Sequence, residues 1–380
     1  MPAILLTGGT GALGREVVRI LSADCLGDVF VLTRDPDGAA ARALLRGGQG
    51  ESGMPPTCVR LIRGDVTEGE RLGMDEGDAA TLRARATHVV HCAAGTSFTM
   101  PIERAREINV AGTHAVLEFA RSCARVQAIA CASTTYVAGK RTGVILEADT
   151  SADAERVNSY EQSKHEMENV ARDAMATLPV SLYRFSTMIG HSATGAVTAF
   201  NAIHHALRLF YQGLAPMVPG ELATRIDLVP VDFAARAMHH LVTRRFESRQ
   251  TYHICAGASR SCSLDELLAQ TVEMFERSRP AWRKRRIERP AVVDSETYSL
   301  FVRSVEESGN VVLKSATQAV QAFAWQLAFP KTFDTARTDA ALEGSGIVAP
   351  HVREFYSRVV AFCVETNWGA GRAGSDGAAA

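Results

Sequence analysis

The chain has 380 residues, 46% hydrophobic and 22% charged, with a formal net charge of −1. This composition is globular; it excludes a fibrous or low-complexity chain and gives no whole-protein field for nucleic acid or an anionic membrane. No apolar run is long enough to span a bilayer, and the eight cysteines show neither a C-x-x-C pair nor a zinc-like spacing with histidine, so reduced thiols in a cytoplasmic protein are expected.

The first element is AILLT (3–7), the short apolar run of a strand buried on both faces. Glycines interrupt it too early for a signal peptide. Two registers fit those glycines. Gly9, Gly11 and Gly14 make G-x-G-x-x-G, whereas Gly8, Gly11 and Gly14, preceded by Thr7, make the wider G-x-x-G-x-x-G. The amphipathic stretch that follows would aim its free N–H groups at the turn, which suits a pyrophosphate. DVFVLT (28–33) is a second strand, ending Thr33-Arg34-Asp35. Arg34 at that end favours a 2′-phosphate and hence NADP, while Asp35 is a competing signal for NAD. DPDGAAARALLRGGQGESGMPP (35–56) predicts one short helix and an exposed Gly/Pro-rich loop.

Further strands are expected in CVRLIRGDV (58–66), THVVHCAA (87–94), VQAIACAST (126–134) and PVSLYRFSTMIG (179–190). Helices are expected in EINVAGTHAVLEFARSCA (107–124) and NSYEQSKHEMENVARDAM (158–175). Alternation of this kind implies right-handed βαβ units and a doubly wound parallel α/β sheet, with ligands outside the carboxyl ends of the strands. LVPVDFAARAMHHLV (228–242) reads as a strand end and a helix returning to the sheet, and 264–380 as mostly helical. The expected organisation is a cofactor-binding domain at 1–190 with a returning segment at 226–260. Residues 191–225 and 261–368 would bind substrate, and 369–380 would be a disordered tail. Apolar positions such as Phe301, Val302, Phe323 and Trp325 could cover an acyl chain; ordinary core packing explains them equally well. His204, His205, His239 and His240 come in adjacent pairs that point to different helix faces, so no shared metal site is expected. RSRPAWRKRRIERP (277–290) reads as a solvated face, with coenzyme A phosphates or an acidic carrier protein as the sharper alternative.

The chemistry gathers at Tyr160 and Lys164, four apart and so on one helical face. An ammonium beside a phenol is expected to lower the phenol's pKa and fit it for proton transfer at a carbonyl oxygen. Ser133, Thr134 and Thr135 follow the fifth strand and could bond the same oxygen.

TGGTGALG, HCAAGTSF, NVAGT, ASTTYVAGK and YEQSK occur in this order over roughly residues 3–260 and resemble an extended short-chain dehydrogenase/reductase. STTYVAGKRTGVILE, NSYEQSKHEME, YRFSTMIGHSATGAVTAFN and DLVPVDFAARAM are most similar to its fatty acyl-CoA and thioester reductase branch, the male-sterility-like one. The resemblance implies a Rossmann-type fold with a smaller, mostly helical substrate-binding part. It implies that Gly8, Gly11 and Gly14 line the pyrophosphate, with Thr7, Thr10, Ala12 and Leu13 also in the cofactor site. Arg34 would hold the 2′-phosphate of NADP(H), Asp65 and Val66 touch adenine, and Ala93 and Ala94 pack near the ribose and nicotinamide linker. Phe185, Ser186 and Met188 would pass the nicotinamide carboxamide, although Phe185 stands where many relatives carry proline. Tyr160 would be the acid/base and Lys164 its ribose-binding partner, with Thr134 the hydroxyl (Ser133 the alternative) and Asn109 a structural or relay asparagine. The reaction implied is NADPH-dependent reduction of an acyl thioester or derived carbonyl to an aldehyde or alcohol. A ketone or hydroxysteroid-like dehydrogenase, a nucleotide-sugar epimerase or dehydratase, and a non-catalytic nucleotide-binding regulator are the alternatives. Partners would be a small acyl or carbonyl substrate, free or on coenzyme A or a carrier protein, and no nucleic acid.

Overall fold

A computed structural model describes residues 3–24, 27–47, 58–279, 282 and 287–369. The Gly/Pro-rich loop at 48–56, most of the basic stretch between 280 and 286, Cys25 and the tail from 370 onward lie outside the described residues.

Seven strands form one sheet: β1 (Ala3–Thr7), β2 (Asp28–Thr33), β3 (Val59–Arg63), β4 (Ala86–His91), β5 (Ala128–Thr134), β6 (Val180–Phe185) and β7 (Thr251–Ile254). Their spatial order is β3-β2-β1-β4-β5-β6-β7, and every pairing is parallel. The order in which strands are added reverses after β3, with β4 placed on the far side of β1, so the sheet opens a crevice at the carboxyl ends of β1 and β4, where open α/β sheets bind ligands.

Strand alternation explains why the sheet has two cores. Ile4, Leu6, Val29 and Val31 face one side, against Val17, Val18 and Leu21 of α1 (Ala12–Asp24) and Phe233, Met238 and Leu241 of α8 (Val231–Thr243). Ala3, Leu5, Phe30 and Leu32 face the other, against Val116 and Phe119 of α5 (Gly112–Arg121) and Met167 and Ala171 of α6 (Ser159–Ala174). Each strand is therefore apolar throughout rather than alternating with polar residues.

The long helix expected over 107–124 has a different start. Residues Glu107–Ala111 form a π-helical turn that leads into α5. Asn109 sits in that widened turn, nearly fully buried, and bonds both polar groups of Gly95. Wide turns of this kind re-aim a side chain that regular helical spacing would point elsewhere.

A third core lies in the C-terminal helices. It joins α7 (Ala202–Gln212), α9 (Leu264–Ser278) and α12 (Val352–Glu365) through Leu207, Phe210, Leu268, Phe275, Phe355 and Val359. α9 starts in a capping box: Ser263 Oγ accepts from Glu266 N–H at 3.1 Å, and Glu266 Oε2 accepts from Ser263 N–H at 2.9 Å. Two more helices, α10 (Ser295–Glu307) and α11 (Val311–Leu327), close this part. Short strands tie it to the sheet domain, notably Lys331–Phe333 paired parallel with Gly143–Ile145. Among the described residues no helix is long and apolar enough to cross a membrane, no group of three or more His, Cys, Asp or Glu could hold a metal, and none of the seven cysteines forms a disulfide.

Candidate active site

The glycine turn is shaped by close approach. Gly8 has φ of +73°, and a Cβ there would lie 2.5 Å from the Ala93 nitrogen and the Cys92 carbonyl carbon. A Cβ on Gly14 would collide with the Gly8 carbonyl, and one on Gly9 with Val31. Both glycine registers are thus sterically filled: Gly8 and Gly14 keep the turn against α1 and β4, and Gly9 lets it lie on β2. The turn leaves bare backbone at the start of α1, which a pyrophosphate fits.

Around that turn the predicted cofactor residues divide. Thr7 is fully buried and faces inward, with Oγ1 2.8 Å from His91 Nδ1 and accepting from Ala93 N–H at 3.2 Å. His91 bonds Thr113 Oγ1 through Nε2 at 2.9 Å, so this chain of groups sews β1, β4 and α5 together. Burial, with the Lys164 charge adding to it, pushes His91 down to about 3, and it stays neutral. Leu13, Val66 and Phe185 put their side chains into the hydrophobic cores. Ser186 is buried, and Met188 packs partly against the core while its carbonyl accepts from Asn201 Nδ2 at 2.9 Å. Thr10, Ala12, Ala93 and Ala94 are half-buried and Gly11 exposed. Arg34 is exposed at the end of β2, with Nε 3.9 Å from Asp65 Oδ2. Asp65 Oδ1 in turn accepts from Thr67 N–H and Oγ1–H, both at 2.9 Å.

The proposed chemical groups converge one strand further on. Asn158 caps α6, accepting from Glu161 N–H at 3.0 Å, and so starts the helix just before Tyr160. At the end of β5 the Thr134 hydroxyl accepts from Tyr136 N–H at 3.2 Å and lies where it lowers the pKa of the Tyr160 phenol. Lys164, one turn on and 3% exposed, donates through Nζ to the Ala132 carbonyl of β5 at 2.7 Å. Its charge is felt by His91 and Cys92 at the end of β4, against which the glycine turn packs.

The electrostatics depart from the sequence expectation in one respect. Burial pushes the Tyr160 phenol up to about 12, the Thr134 hydroxyl lowering it and the Glu161 charge raising it. The ammonium expected to lower the phenol is directed at a backbone carbonyl instead. Lys164 is itself pushed down to about 8 by burial. The phenol therefore holds its proton across the neutral range, the state a proton donor needs.

Ser133 and Thr134 point to opposite faces of β5, as neighbours in a strand must. Ser133 donates to Glu168 Oε1 at 2.6 Å, away from Tyr160. Asn109 Nδ2 donates to Ser163 Oγ at 2.9 Å as well as to the Gly95 carbonyl, tying α6 to the loop after β4. Two aromatic residues escaped the sequence reading. Phe98 lies 5.6 Å from the Tyr160 ring and 6.1 Å from the Tyr136 ring, centroid to centroid. Tyr136 shares a 2.6 Å hydrogen bond with Thr187 Oγ1. HCAAGTSF contained Phe98, but no local signal tells a loop aromatic facing a site from one facing solvent. His204 is buried against Asn201 and His239 pairs with Asp24 at 3.1 Å, so each has a partner in place.

A family model described as male sterility protein, an NAD-binding one, matches residues 6–238. The chain belongs to that family. With its motifs, this places the male-sterility-type chain in the thioester reductase branch of the extended short-chain reductases, with an NAD(P)-binding domain. Glycine betaine reductase ATRR of Emericella nidulans is 28% identical over 271 residues, 66% of this chain and 21% of that protein. The chain spans 5%, 21% and 27% of the length of the first three curated relatives it matches. In fold it is similar to the terminal R domain from the myxalamid PKS-NRPS biosynthetic pathway. The TM-score is 0.78 at 24% identity, covering 97% of this chain and 92% of that one. The reductase (R) domain of a nonribosomal peptide synthetase from Mycobacterium tuberculosis gives a TM-score of 0.68 at 20% identity, over 97% and 92% of the two chains. At these identities the structural likeness concerns the fold.

Proposed function

We propose that this chain reduces an acyl thioester to an aldehyde with NADPH, and that Thr134, Tyr160 and Lys164 are the working side chains. The observation that carries the reading is the Tyr160 phenol beside the Thr134 hydroxyl, with a buried Lys164 one turn on bonded to the Ala132 carbonyl of the same strand, at strand ends that also hold the glycine turn. The family, and the peptide-synthetase reductase domain whose fold this chain shares, agree with it. When bound, the nicotinamide supplies hydride to the acyl carbon. Tyr160 passes its phenolic proton to the carbonyl oxygen as charge develops there, and Thr134 donates a second hydrogen bond to that oxygen. The hemithioacetal then loses its thiol, coenzyme A or a carrier's pantetheine, and leaves the aldehyde. Lys164 holds the nicotinamide ribose. Gly8, Gly11 and Gly14 cradle the pyrophosphate, and Asp65 lies near the adenine.

The decisive experiment presents acyl-CoA, acyl-carrier and acyl-pantetheine thioesters, aldehydes and ketones, follows NADPH absorbance and identifies the products. Thioester-dependent oxidation giving aldehyde and free thiol is expected. Consumption with ketones alone refutes the reading, and a tightly held cofactor with no net oxidation points to an epimerase.

NADP selectivity is assigned to Arg34, whose exposed guanidinium can leave Asp65 for a 2′-phosphate. Arg34→Ala is expected to weaken NADPH binding roughly 10- to 100-fold, the worth of a hydrogen bond to a charged group, and to leave NADH binding nearly unchanged. Fluorescence titration with both nucleotides checks this, and equal loss of both removes Arg34 from the role.

A further inference from the structure

One short stretch of the C-terminal part grips both members of the proposed proton-transfer pair. Gln326, buried in the last turn of α11, donates through Nε2 to Glu161 Oε1. Glu161 is the residue after Tyr160 and is fully buried. Its carboxylate also accepts from Val157 N–H and Asn158 Nδ2, both at 2.9 Å. Lys331 donates through Nζ to the Gly139 carbonyl and, at 3.4 Å, to Gln326 Oε1. Gly139, with φ of +55°, closes the 3-10 turn Thr135–Ala138, and Thr134 is the N-cap of that turn. Segment 326–331 therefore holds the helix start that carries Tyr160 and the turn that carries Thr134.

The same segment walls a solvent-open pocket holding about 480 Å³ of space between atoms, to which Gln326, Leu327, Phe329 and Lys331 contribute together with Thr135 and Tyr136. The Thr135 hydroxyl is buried there without a hydrogen-bond partner. Ile226, Phe323 and Leu327 also line a second solvent-open pocket, holding about 770 Å³ of space between atoms and lined mainly by apolar side chains of α7, α9 and α11. The two thus lie side by side, the more polar one beside the Tyr136–Thr187 hydrogen bond and the apolar one within the third core.

We propose that Gln326 and Lys331 are positioning residues that set the Thr134–Tyr160 geometry, and that the substrate's apolar acyl chain, lodged in these pockets against Leu327 and Phe329, orders their grip. Chain length then registers in kcat and not only in KM. Binding energy from a remote, unreacting part of a substrate raises kcat when it organises the reacting groups. The inference rests on the thioester-reductase reading for its substrate.

The test measures kcat and KM for acetyl-, octanoyl- and dodecanoyl-pantetheine in the wild-type protein and in Gln326→Leu, Lys331→Met and Lys331→Gln. In the wild type, kcat is expected to rise with chain length. Gln326→Leu and Lys331→Met flatten the rise and lower dodecanoyl kcat about tenfold, the effect of one charge-assisted hydrogen bond, with NADPH affinity kept. Lys331→Gln keeps a donor for Gly139 and restores most of the loss. A wild-type kcat independent of chain length, or variants that change KM alone, overturns the proposal. Turnover of aldehydes but of no thioester defeats the thioester reading instead, and the same chain-length series is then run with aldehydes. Hydrogen exchange decides without any substrate. The Gly139 and Gln162 amides, bonded to Tyr136 and Asn158 carbonyls, exchange faster in Gln326→Leu if the grip is real. Unchanged exchange overturns it.

Discussion

Tyr160→Phe is expected to lower kcat for thioester reduction by roughly 10²- to 10⁴-fold, the usual worth of a positioned general acid. Phenylalanine keeps the ring against Phe98, 5.6 Å away, and removes only the hydroxyl that meets Thr134. NADPH affinity measured by fluorescence should therefore be kept, which separates lost chemistry from lost binding. The pH profile carries the same assignment. The phenol, pushed up to about 12, stays protonated well past the neutral range, whereas the Lys164 ammonium, pushed down to about 8, gives up its proton just above it. Rising pH thus removes the Lys164 charge first, and kcat should fall as pH passes about 8. Lys164→Met should lower the whole profile and abolish that limb. A Tyr160→Phe protein with unchanged kcat would sink the catalytic account while leaving the fold untouched.

Glu168→Ala should destabilise the protein by about 3–5 kcal/mol, the cost of stranding a buried charge. Glu168 and Arg184 are both fully buried and joined at 2.7 and 2.8 Å. Glu168 also accepts from Ser133 Oγ at 2.6 Å and from Arg172 at 2.9 Å. Arg184 reaches on to the Asp149 carbonyl at 2.8 Å and to His253 at 3.3 Å, so the network spans β5, α6, β6 and β7. Removing the carboxylate leaves the guanidinium with neutral acceptors only. Urea unfolding measures the loss, and Glu168→Leu combined with Arg184→Met should recover part of it, because an apolar pair of similar volume needs no compensation. Acid acts on the same group. Burial raises the Glu168 pKa, but Arg184, Arg172 and Ser133 more than reverse this and hold it at about 2. Its stabilising contribution is thus complete above the unfolded carboxylate pKa of roughly 4.3 and is lost as pH falls toward the folded value. A Glu168→Ala midpoint equal to the wild type would show that the network adds nothing to stability.

Elements that depend on local pattern were legible from residues alone. The apolar runs at 3–7, 28–33, 128–134 and 180–185 are strands, the glycine turn stands between β1 and α1, and Tyr160 and Lys164 share a face of α6. Each follows from neighbours within four residues, where strand and helix periods act directly. The family's motifs lie in the same stretches, which is why its fold could be named from them.

Tertiary structure decided what those local patterns left open. Strand pleating and the position of Glu168, 35 residues further on, turned Ser133 inward, leaving Thr134 to face Tyr160. Burial overrode the expected effect of Lys164 on the phenol. The π-helical turn re-aimed Asn109 at Gly95. Gln326 meets Glu161 across 165 residues of chain, and Lys331 meets Gly139 across 192. Contacts at such separations leave no period in a sequence, because they are made by how separate elements pack together. The sequence by itself determined the sheet, the glycine turn and the Tyr–Lys face; folding determined which hydroxyl stands beside the phenol and what holds the two in place.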